Sequence, residues 1–426
     1  MIGKLTEILK ECGADAWELQ ELKTEGWEFY FIRKKLDQNR VKKITDYRIT
    51  VYKYSDDGKY FGSASAPVSP DETEENLRKT AEDLCYQASL VKNRPYKLNQ
   101  PADAEKAEQK ETDIAKISSD FIKAVNSIDE TKTEDINSHE IFVSSIERRL
   151  ITSEGIDITE KYPYSMCEAV INARNEKQEI ELYRMFRSGT CDEKSLAEEI
   201  GRAMQFGRDR LKTEKTPVTG NIPVVLSTDD AVSVYTYFLE RISTQAVYQK
   251  ISDWQTGKPV AEGITGDRMN IRSVRYLPNS SANRLYDSEG APIRDLQLMK
   301  DSVPCSLWGN RMTSQYLGLE DTFSVTNVIF EGGTAEEEEI RSGRYLEVVE
   351  FSDFQVDTVT GSIFGEIRLA YYHDNDMVKI VSGGSVSGTM RDFMKNMRMS
   401  KEMKQYNSYM IPALTRLENV TVTGAE

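Results

Sequence analysis

Segments with helical spacing and segments with extended spacing alternate along this chain. Leu5, Ile8 and Leu9 form one apolar helical face before Cys12-Gly13 interrupts it, and residues 17–32 are typical of an aromatic-rich strand. Tyrosine is abundant and β-branched runs recur, so substantial sheet is expected. The alternation predicts an α+β, multi-domain protein, and 426 residues are enough for two or three domains, each with a buried core.

A hairpin and a helix start are the clearest local signals in the first hundred residues. Asp56-Asp57-Gly58 lies between two strand-like runs, which predicts a β-hairpin. Ser69-Pro70-Asp71-Glu72 follows and predicts a helix in which Ser69 is the N-cap and Glu72 closes a capping box. The apolar positions of this helix recur at helical spacing, so one of its faces is expected to pack on the sheet of the hairpin.

Two polar stretches divide the chain into three predicted domains. Residues from Asn93 to about Thr112 are rich in Ala, Glu, Lys and Gln, which indicates a linker or a solvated helix, and residues 213–220 form the second boundary. We therefore predict an N-terminal helix-and-strand domain (1–95), a linker helix with a strand-rich middle domain (96–216), and a C-terminal domain of mixed sheet and helices (217–426).

Three helix starts are predicted in the C-terminal domain. Thr228 can cap a helix that runs to Ile242, and Thr334-Ala335-Glu336-Glu337 has capping-box spacing. The third start follows residues 382–388, a segment rich in glycine and serine that precedes a helix carrying Met390, Phe393 and Met397. Its backbone amides could hold an anion or a peptide carbonyl. The simpler interpretation is a strand-to-helix turn with Ser387 or Thr389 as N-cap.

Charge and cysteine content exclude several classes of protein. The formal net charge of −15 repels phosphate backbones, so direct binding of nucleic acid is not expected. The five cysteines form no CxxC pair, which favours reduced thiols in a cytoplasm. No run approaches the roughly 18 apolar residues of a membrane span, and the first residues lack the apolar core of a signal peptide. We expect a cytoplasmic protein that does not enter a membrane.

Histidine is too scarce for the usual catalytic zinc site. Such a site commonly has three protein ligands, often with a pair of histidines on one helix. His139 and His373 are the only histidines, and they lie more than two hundred residues apart. His139 begins a strand-like stretch, and His373 is expected in a surface turn after a strand. The sequence therefore predicts no metal and no cofactor in this chain.

Other catalytic patterns are equally weak. The chain has no Gly-x-Ser-x-Gly, and residues 382–388 lack the Gly-Lys-Ser/Thr ending of a P-loop. Glu336 to Glu339 lack the spacing of a calcium loop, and the dipole of a helix N-terminus explains them adequately. No motif by itself establishes catalysis.

Several segments match the pattern of a known family when they are taken together. They are Asp287-Ser288-Glu289-Gly290-Ala291-Pro292, Gln355 to Gly361, the turn at 383–388, the closing segment 417–424, and the N-terminal hairpin with its Ser-Pro helix start. In this order and spacing they resemble the TldD/PmbA family, which is known as modulators of DNA gyrase and classed as zinc metallopeptidases. The resemblance covers most of the chain.

The resemblance also distinguishes two kinds of subunit. The TldD kind carries His-Glu-x-x-x-His on the first helix of the C-terminal domain and a cysteine near the C-terminus, which together bind zinc. The PmbA or TldE kind lacks these residues and pairs with the first. The corresponding helix here, residues 232–241, has no histidine, and no cysteine follows Cys305. Tyr235 and Glu240 fall near the two histidine positions, so this chain resembles the PmbA kind.

The resemblance implies a metal-free, non-catalytic subunit of a cytosolic peptide-processing complex. Such a subunit would shape a peptide cleft with a zinc-bearing TldD-like homologue, or self-associate as a dimer. The candidates for lining this cleft are Asp287, Glu289, Gly290, Gly361, Gly384, Ser387 and Gly388, although turn geometry alone also explains each of them. Two alternatives stay open. One is a self-sufficient hydrolase around Asp287, Glu289 and the turn at 383–388, and the other is a protein that acts on DNA gyrase through protein contacts.

Overall fold

Three β-sheets form the framework of the molecule, of which the computed structural model describes residues 1–104, 111–375 and 377–425. The first sheet belongs to the N-terminal half of the chain, and the other two belong to the C-terminal half. Helices pack against all three sheets, so the predicted α+β class is confirmed. None of the described helices is long and apolar enough to cross a membrane.

The N-terminal sheet has six antiparallel strands in the order β3-β2-β1-β4-β5-β6. The strands are β1 (Ala16–Ile32), β2 (Lys35–Ser55), β3 (Tyr60–Val68), β4 (Glu134–Thr152), β5 (Asp157–Arg174) and β6 (Glu179–Ser188). The predicted hairpin is present as β2 and β3. Strand β1 pairs with β4 over nearly its whole length. Strands from both sides of the predicted boundary near residue 95 therefore belong to one sheet.

Four helices cover one face of this sheet. They are α1 (Ile2–Glu11), α2 (Glu74–Leu90), α3 (Ile114–Asn126) and α4 (Glu193–Arg210). Leu19 of β1 packs in the apolar cluster of α1 and α2, whereas Ile141 of β4 packs in the cluster of α3 and α4. Side chains alternate along a strand and Ile141 lies opposite Phe29, so Leu19, Phe29 and Ile141 share one face. The opposite face is left for the C-terminal half.

Helix α2 begins later than the sequence predicts. Its N-cap is Thr73, whose hydroxyl accepts a hydrogen bond from the amide of Asn76 at 3.3 Å. The predicted N-cap, Ser69, instead belongs to a turn in which the Glu72 amide donates to the Ser69 carbonyl. This correction has a simple cause: β3 continues to Val68, and the chain needs the turn to reverse before a helix can start. Of the predicted linker, residues 93–104 are neither helix nor strand, and residues 105–110 lie outside the described ranges.

Fourteen further strands occur in the described part of the C-terminal half. They are β7 (Glu214–Lys215), β8 (Gly220–Leu226), β9 (Asn270–Val274), β10 (Leu296–Lys300), β11 (Val303–Pro304), β12 (Asn327–Glu331), β13 (Tyr345–Val356), β14 (Ser362–Asp374), β15 (Met377–Ser382), β16 (Ser385–Thr389), β17 (Arg398–Met399), β18 (Met403–Tyr406), β19 (Tyr409–Pro412) and β20 (Thr415–Thr423). One sheet has the order β11-β10-β9-β12-β19-β18, and the other has the order β13-β8-β20-β16-β14-β15-β7. Because β13 also pairs with β14, five strands of the latter sheet close into a ring.

Helix α5 lies in the core that these two sheets share. The α-helices in the described residues of this half are α5 (Val232–Arg241), α6 (Thr244–Tyr248), α7 (Arg311–Tyr316), α8 (Glu337–Ile340) and α9 (Met390–Phe393). Tyr235, Phe238 and Leu239 of α5 are buried together with residues of both sheets. A turn of 3-10 helix, Asp229–Ala231, precedes α5, so a helix follows Thr228 as predicted. The Thr228 side chain makes no capping hydrogen bond, so its predicted role as the cap is wrong.

Two helix starts in this half differ from prediction. The capping box of α8 joins Glu336 and Glu339, two residues later than the predicted pair, because Ala335 forms a bridge with Ser400 before the helix begins. Ser387 and Gly388 belong to strand β16 and not to a turn, since β16 pairs with both β14 and β20. Thr389 is the N-cap of α9, as one predicted alternative proposed, but the helix ends before Met397.

Both histidines lie in strands and stack on aromatic rings. His373 stands within β14, 4.3 Å from the ring centre of Tyr345, so its predicted place in a surface turn is wrong. His139 in β4 stacks on Phe31 at 4.3 Å and is only 1% exposed. Neither of its ring nitrogens has a hydrogen-bond partner among the described residues. Burial, with a smaller contribution from the charge of Lys34, lowers the pKa of His139 to about 4.

Replacement of His139 by phenylalanine is expected to reduce the pH dependence of stability. The folded pKa lies below the unfolded value of 6.5, so the unfolded chain binds more protons between these values and the wild type loses stability as pH falls through this window. When the pH falls from 7.5 to 4.5, wild type should lose about 2 kcal/mol more free energy of unfolding than His139→Phe. Urea unfolding at the two pH values measures this difference, and an equal loss in both proteins would contradict it.

Candidate functional site

A cleft of about 360 Å³ opens beside the C-terminal end of α5. We call it the α5 cleft; its wall includes Glu240, Arg241, Gln249, Trp308, Asn310 and Thr358. These residues come from the end of α5, from the loop after α6, from the start of α7 and from the turn between β13 and β14. Its volume lies in the range of roughly 300–1,000 Å³ that is typical of small-ligand pockets.

Close backbone packing sets the shape of the cleft. The indole nitrogen of Trp308 donates to the carbonyl of Leu239 at 2.9 Å, which attaches the 308–310 segment to the last turn of α5. A Cβ atom on Gly309 would lie 1.9 Å from the hydroxyl oxygen of Thr244, so only glycine fits there. Asn310 then caps α7, because its side chain accepts from the amide of Thr313.

Arg241 is buried and its charge is compensated. Its Nη2 atom lies 2.5 Å from a carboxylate oxygen of Asp253, and Nη1 donates to the carbonyl of Ile251 at 2.8 Å. The guanidinium also lies over the ring of Trp254, at 5.3 Å from the ring centre. Arg241 therefore holds the 251–254 loop against α5 and adds no free positive charge to the cleft.

Asp287 organises a buried turn behind the cleft wall. One of its carboxylate oxygens accepts from the amides of Glu289 and Ala291, and the other accepts from the amide of Ser324, each at 2.9 Å. Ser324 itself lines the α5 cleft. Burial raises the pKa of Asp287, while the three amides act in the opposite direction. The predicted cleft residue Asp287 thus lies beneath the wall and supports it.

Glu289 and Gly290 complete the same turn. A carboxylate oxygen of Glu289 accepts from the amide of Arg311 at 2.7 Å, where α7 begins. Burial raises the pKa of Glu289 to about 7, and the nearby carboxylates of Asp287 and Glu18 add to the increase. Gly290 has φ of 80°, and a Cβ atom there would approach the side chain of Ile156 within 3.0 Å. Glu289 thus attaches the turn to the start of α7, and Gly290 lets the turn pack against Ile156.

A buried ion pair connects this turn to the N-terminal sheet. Arg148 of β4 and Glu160 of β5 lie 2.7 Å apart on the sheet face that the four helices leave open. Arg148 also donates to the carbonyl of Asp287 at 2.8 Å, and Glu160 accepts from the amide of Leu285 at 2.6 Å. Sequence reasoning missed this pair because its partners are more than a hundred residues away in the chain.

The second half of the chain matches a described protein family. Residues 219–424 match the model of the PmbA/TldA metallopeptidase C-terminal domain. The C-terminal domain of this chain belongs to the TldD/PmbA family. No match was found among curated protein sequences.

Solved structures share the fold of this chain over its whole length. TldE from Thermococcus kodakarensis superposes with a TM-score of 0.79 at 17% identity, covering 99% of this chain and 100% of that one. A proposed modulator of a DNA gyrase from Thermotoga maritima MSB8 gives 0.78 at 16% identity, with coverage of 99% and 100%. A proposed modulator of DNA gyrase from Bacteroides thetaiotaomicron VPI-5482 gives 0.78 at 15% identity, with coverage of 99% and 97%.

The zinc that is implied for the TldD/PmbA family does not fit the residues at the expected positions. The Tyr235 ring is fully buried, and its hydroxyl lies 2.6 Å from that of Thr415. Glu240 instead faces the cleft, where its carboxylate has no partner among the described residues and burial raises its pKa. The two side chains do not meet, and no group of three His, Cys, Asp or Glu residues in the described ranges could hold a metal ion.

The four remaining candidates lie around the β14–β16 region. Gly361 ends the turn after β13, which also contains the cleft residue Thr358, and its carbonyl accepts from the amide of Met390. Gly384 precedes β16 and is packed closely against the backbone of β20. Ser387 pairs with both neighbouring strands, and Gly388 leaves room for the ring of Phe393. The described wall of the α5 cleft includes none of the seven lining candidates but does include Glu240.

Sequence reasoning missed Arg241, Trp308 and Gln249 as residues of the α5 cleft. The sequence contains a signal for Arg241 and another for Trp308. Adjacent Glu240 and Arg241 end an otherwise apolar helix, and Trp308 precedes a glycine and a helix-capping asparagine. The position of Gln249 depends on the turn after α6, and it has no comparable signal.

Replacement of Asp287 by alanine is expected to destabilise the C-terminal half. Three backbone amides in a buried turn lose their acceptor, which costs about 3 kcal/mol in the free energy of unfolding. Ser288 is the exposed neighbour in the same turn, so Ser288→Ala serves as the control and should change stability by less than about 0.5 kcal/mol. Urea unfolding compares the two, and similar small effects would show that the turn does not need the carboxylate.

Replacement of Glu289 by glutamine is expected to stabilise the protein above neutral pH. Its folded pKa of about 7 exceeds the unfolded value of 4.5, so the wild type loses stability as pH rises from 4.5 through 7. Glutamine keeps an acceptor for the Arg311 amide but has no charge to bury. We expect a gain on the order of 2 kcal/mol at pH 8 and little change at pH 4.5. The exposed Glu338→Gln is the control, and a gain of equal size there would refute the assignment.

Proposed function

We propose that this chain is the metal-free, PmbA/TldE-like subunit of a cytosolic peptide-processing complex. In this proposal it shapes part of the substrate cleft, and a zinc-bearing TldD-like homologue supplies the catalytic metal. One observation carries the proposal. Helix α5 still borders a cleft, but Tyr235 is turned into the core and Glu240 is left as a single carboxylate. A subunit with this arrangement can bind and orient a substrate, whereas zinc activation of water has no ligand set here.

The cleft has the mixed character that peptide binding requires. Trp308 and Ala246 offer apolar surface, while Gln245, Gln249 and Ser243 bring groups that can hydrogen-bond a backbone. The apolar surface can therefore pack against an extended peptide, and the polar groups can fix the direction of its backbone. The five cysteines, all within the described ranges, are free thiols, which supports placing the complex in a reducing compartment.

The two alternative functions have less support. A hydrolase centred on Asp287 and Glu289 would need free carboxylate oxygens, but both oxygens of Asp287 and one of Glu289 accept from backbone amides. The turn at 383–384 and strand β16 are occupied in pairing with β14 and β20. Action on DNA gyrase is mentioned in the names of two structural neighbours. For this chain it would proceed through protein contacts, since the net charge is −15.

Metal content and peptidase activity of the purified chain test the proposal first. The chain alone should contain no stoichiometric zinc and hydrolyse no peptide. After co-expression with a homologue that carries His-Glu-x-x-x-His, we expect a stable complex whose peptidase activity is lost on chelation and restored by zinc. Chelator-sensitive activity in the chain by itself would overturn the proposal. Self-association without binding of the homologue would overturn the assignment of the partner.

A further inference from the structure

We propose that the α5 cleft binds a positively charged nitrogen group of a peptide, with Glu240 as its counter-ion. The inference rests on the proposed function only in taking the ligand to be a peptide. Neither the fold nor the family model specifies which chemical class of ligand the cleft selects.

The charge of the cleft wall carries the inference. Glu240 and Arg241 are the charged residues among its described lining. Arg241 is already paired with Asp253 at 2.5 Å and with the carbonyl of Ile251, so its charge is compensated. The Glu240 carboxylate has no hydrogen-bond or ion-pair partner in the described part of the chain. Among the described residues, the lining of the cleft therefore carries one uncompensated negative charge.

The position of Glu240 favours a cation beside it. Glu240 lies in the last turn of α5, where the helix dipole is negative and a carboxylate is destabilised. Partial burial raises the pKa of its carboxyl group, while the side chain stays exposed enough for a ligand to reach it. A cationic ligand offsets the unfavourable dipole because it supplies the opposite charge.

Neighbouring groups fit a cationic side chain or chain end. Trp308 presents an aromatic ring that can cover the methylene stem of a lysine or attract its charge. Gln245 and Gln249 are exposed on the same wall and can accept further N–H groups. A metal ion fits less well, because hard cations require several oxygen ligands and the described part of the wall offers one carboxylate.

Fluorescence polarisation with four short peptides tests the proposal on the full-length chain. The peptides share one uncharged sequence and differ in having a free N-terminus, an acetylated N-terminus with one lysine, an acetylated N-terminus with one arginine, or an acetylated N-terminus and no charge. We expect at least one cationic peptide to bind roughly tenfold more tightly than the uncharged one. The three cationic peptides distinguish the α-ammonium, lysine and arginine as sources of the charge.

Two cleft variants and a control make the test specific. Glu240→Gln keeps the shape of the side chain and should abolish the preference for cationic peptides. Gln249→Glu adds a second carboxylate to the wall and should strengthen that preference. Glu338→Gln removes an exposed carboxylate on α8 and should leave it unchanged.

Three results would overturn the inference: no measurable binding of any peptide, equal affinity for charged and uncharged peptides, or a preference that survives in Glu240→Gln. These results are separate from the test of the proposed function. A complex that hydrolyses peptides without preferring cationic ones would refute this inference alone. A cationic preference in a chain that binds no zinc-bearing homologue would refute the proposed function alone.

Discussion

A buried ion pair between Arg148 and Glu160 joins the two halves of the molecule. Moving two charges out of water is costly, and a pair of this kind is tolerated only when its remaining hydrogen-bonding groups are satisfied. Here they are satisfied by the other half of the chain, since Arg148 donates to carbonyls and Glu160 accepts from amides of residues 285–287. The open face of the N-terminal sheet is thereby fixed against one turn of the C-terminal half.

The position of that turn also determines the shape of the α5 cleft. Asp287 accepts a hydrogen bond from the amide of Ser324, and Glu289 accepts one from the amide of Arg311 beside Asn310. Two parts of the cleft wall are therefore positioned by carboxylates that lie behind the wall. The described lining of the cleft comes from residues after 239, yet its geometry depends on β4 and β5 of the N-terminal half.

Helix α5 keeps its place in the core although it carries no histidine. Tyr235 and Phe238 are buried between two sheets, whereas Glu240 borders the cleft. The helix that lacks histidine is therefore kept in place by its apolar residues, and its polar end remains available for binding.

The sequence by itself determined several local elements and the residue types available for a metal site. Strand β1, the turn at Asp56-Asp57-Gly58 and helix α5 follow from side-chain periodicity and turn preferences, which act over a few residues. The scarcity of histidine is visible directly. Only the tertiary structure decided that β1 and β4 share a sheet, that Thr73 and not Ser69 caps α2, and that Glu240 borders a cleft. Each of these depends on contacts or burial set by residues distant in the chain, and such contacts leave no periodic signal in the sequence.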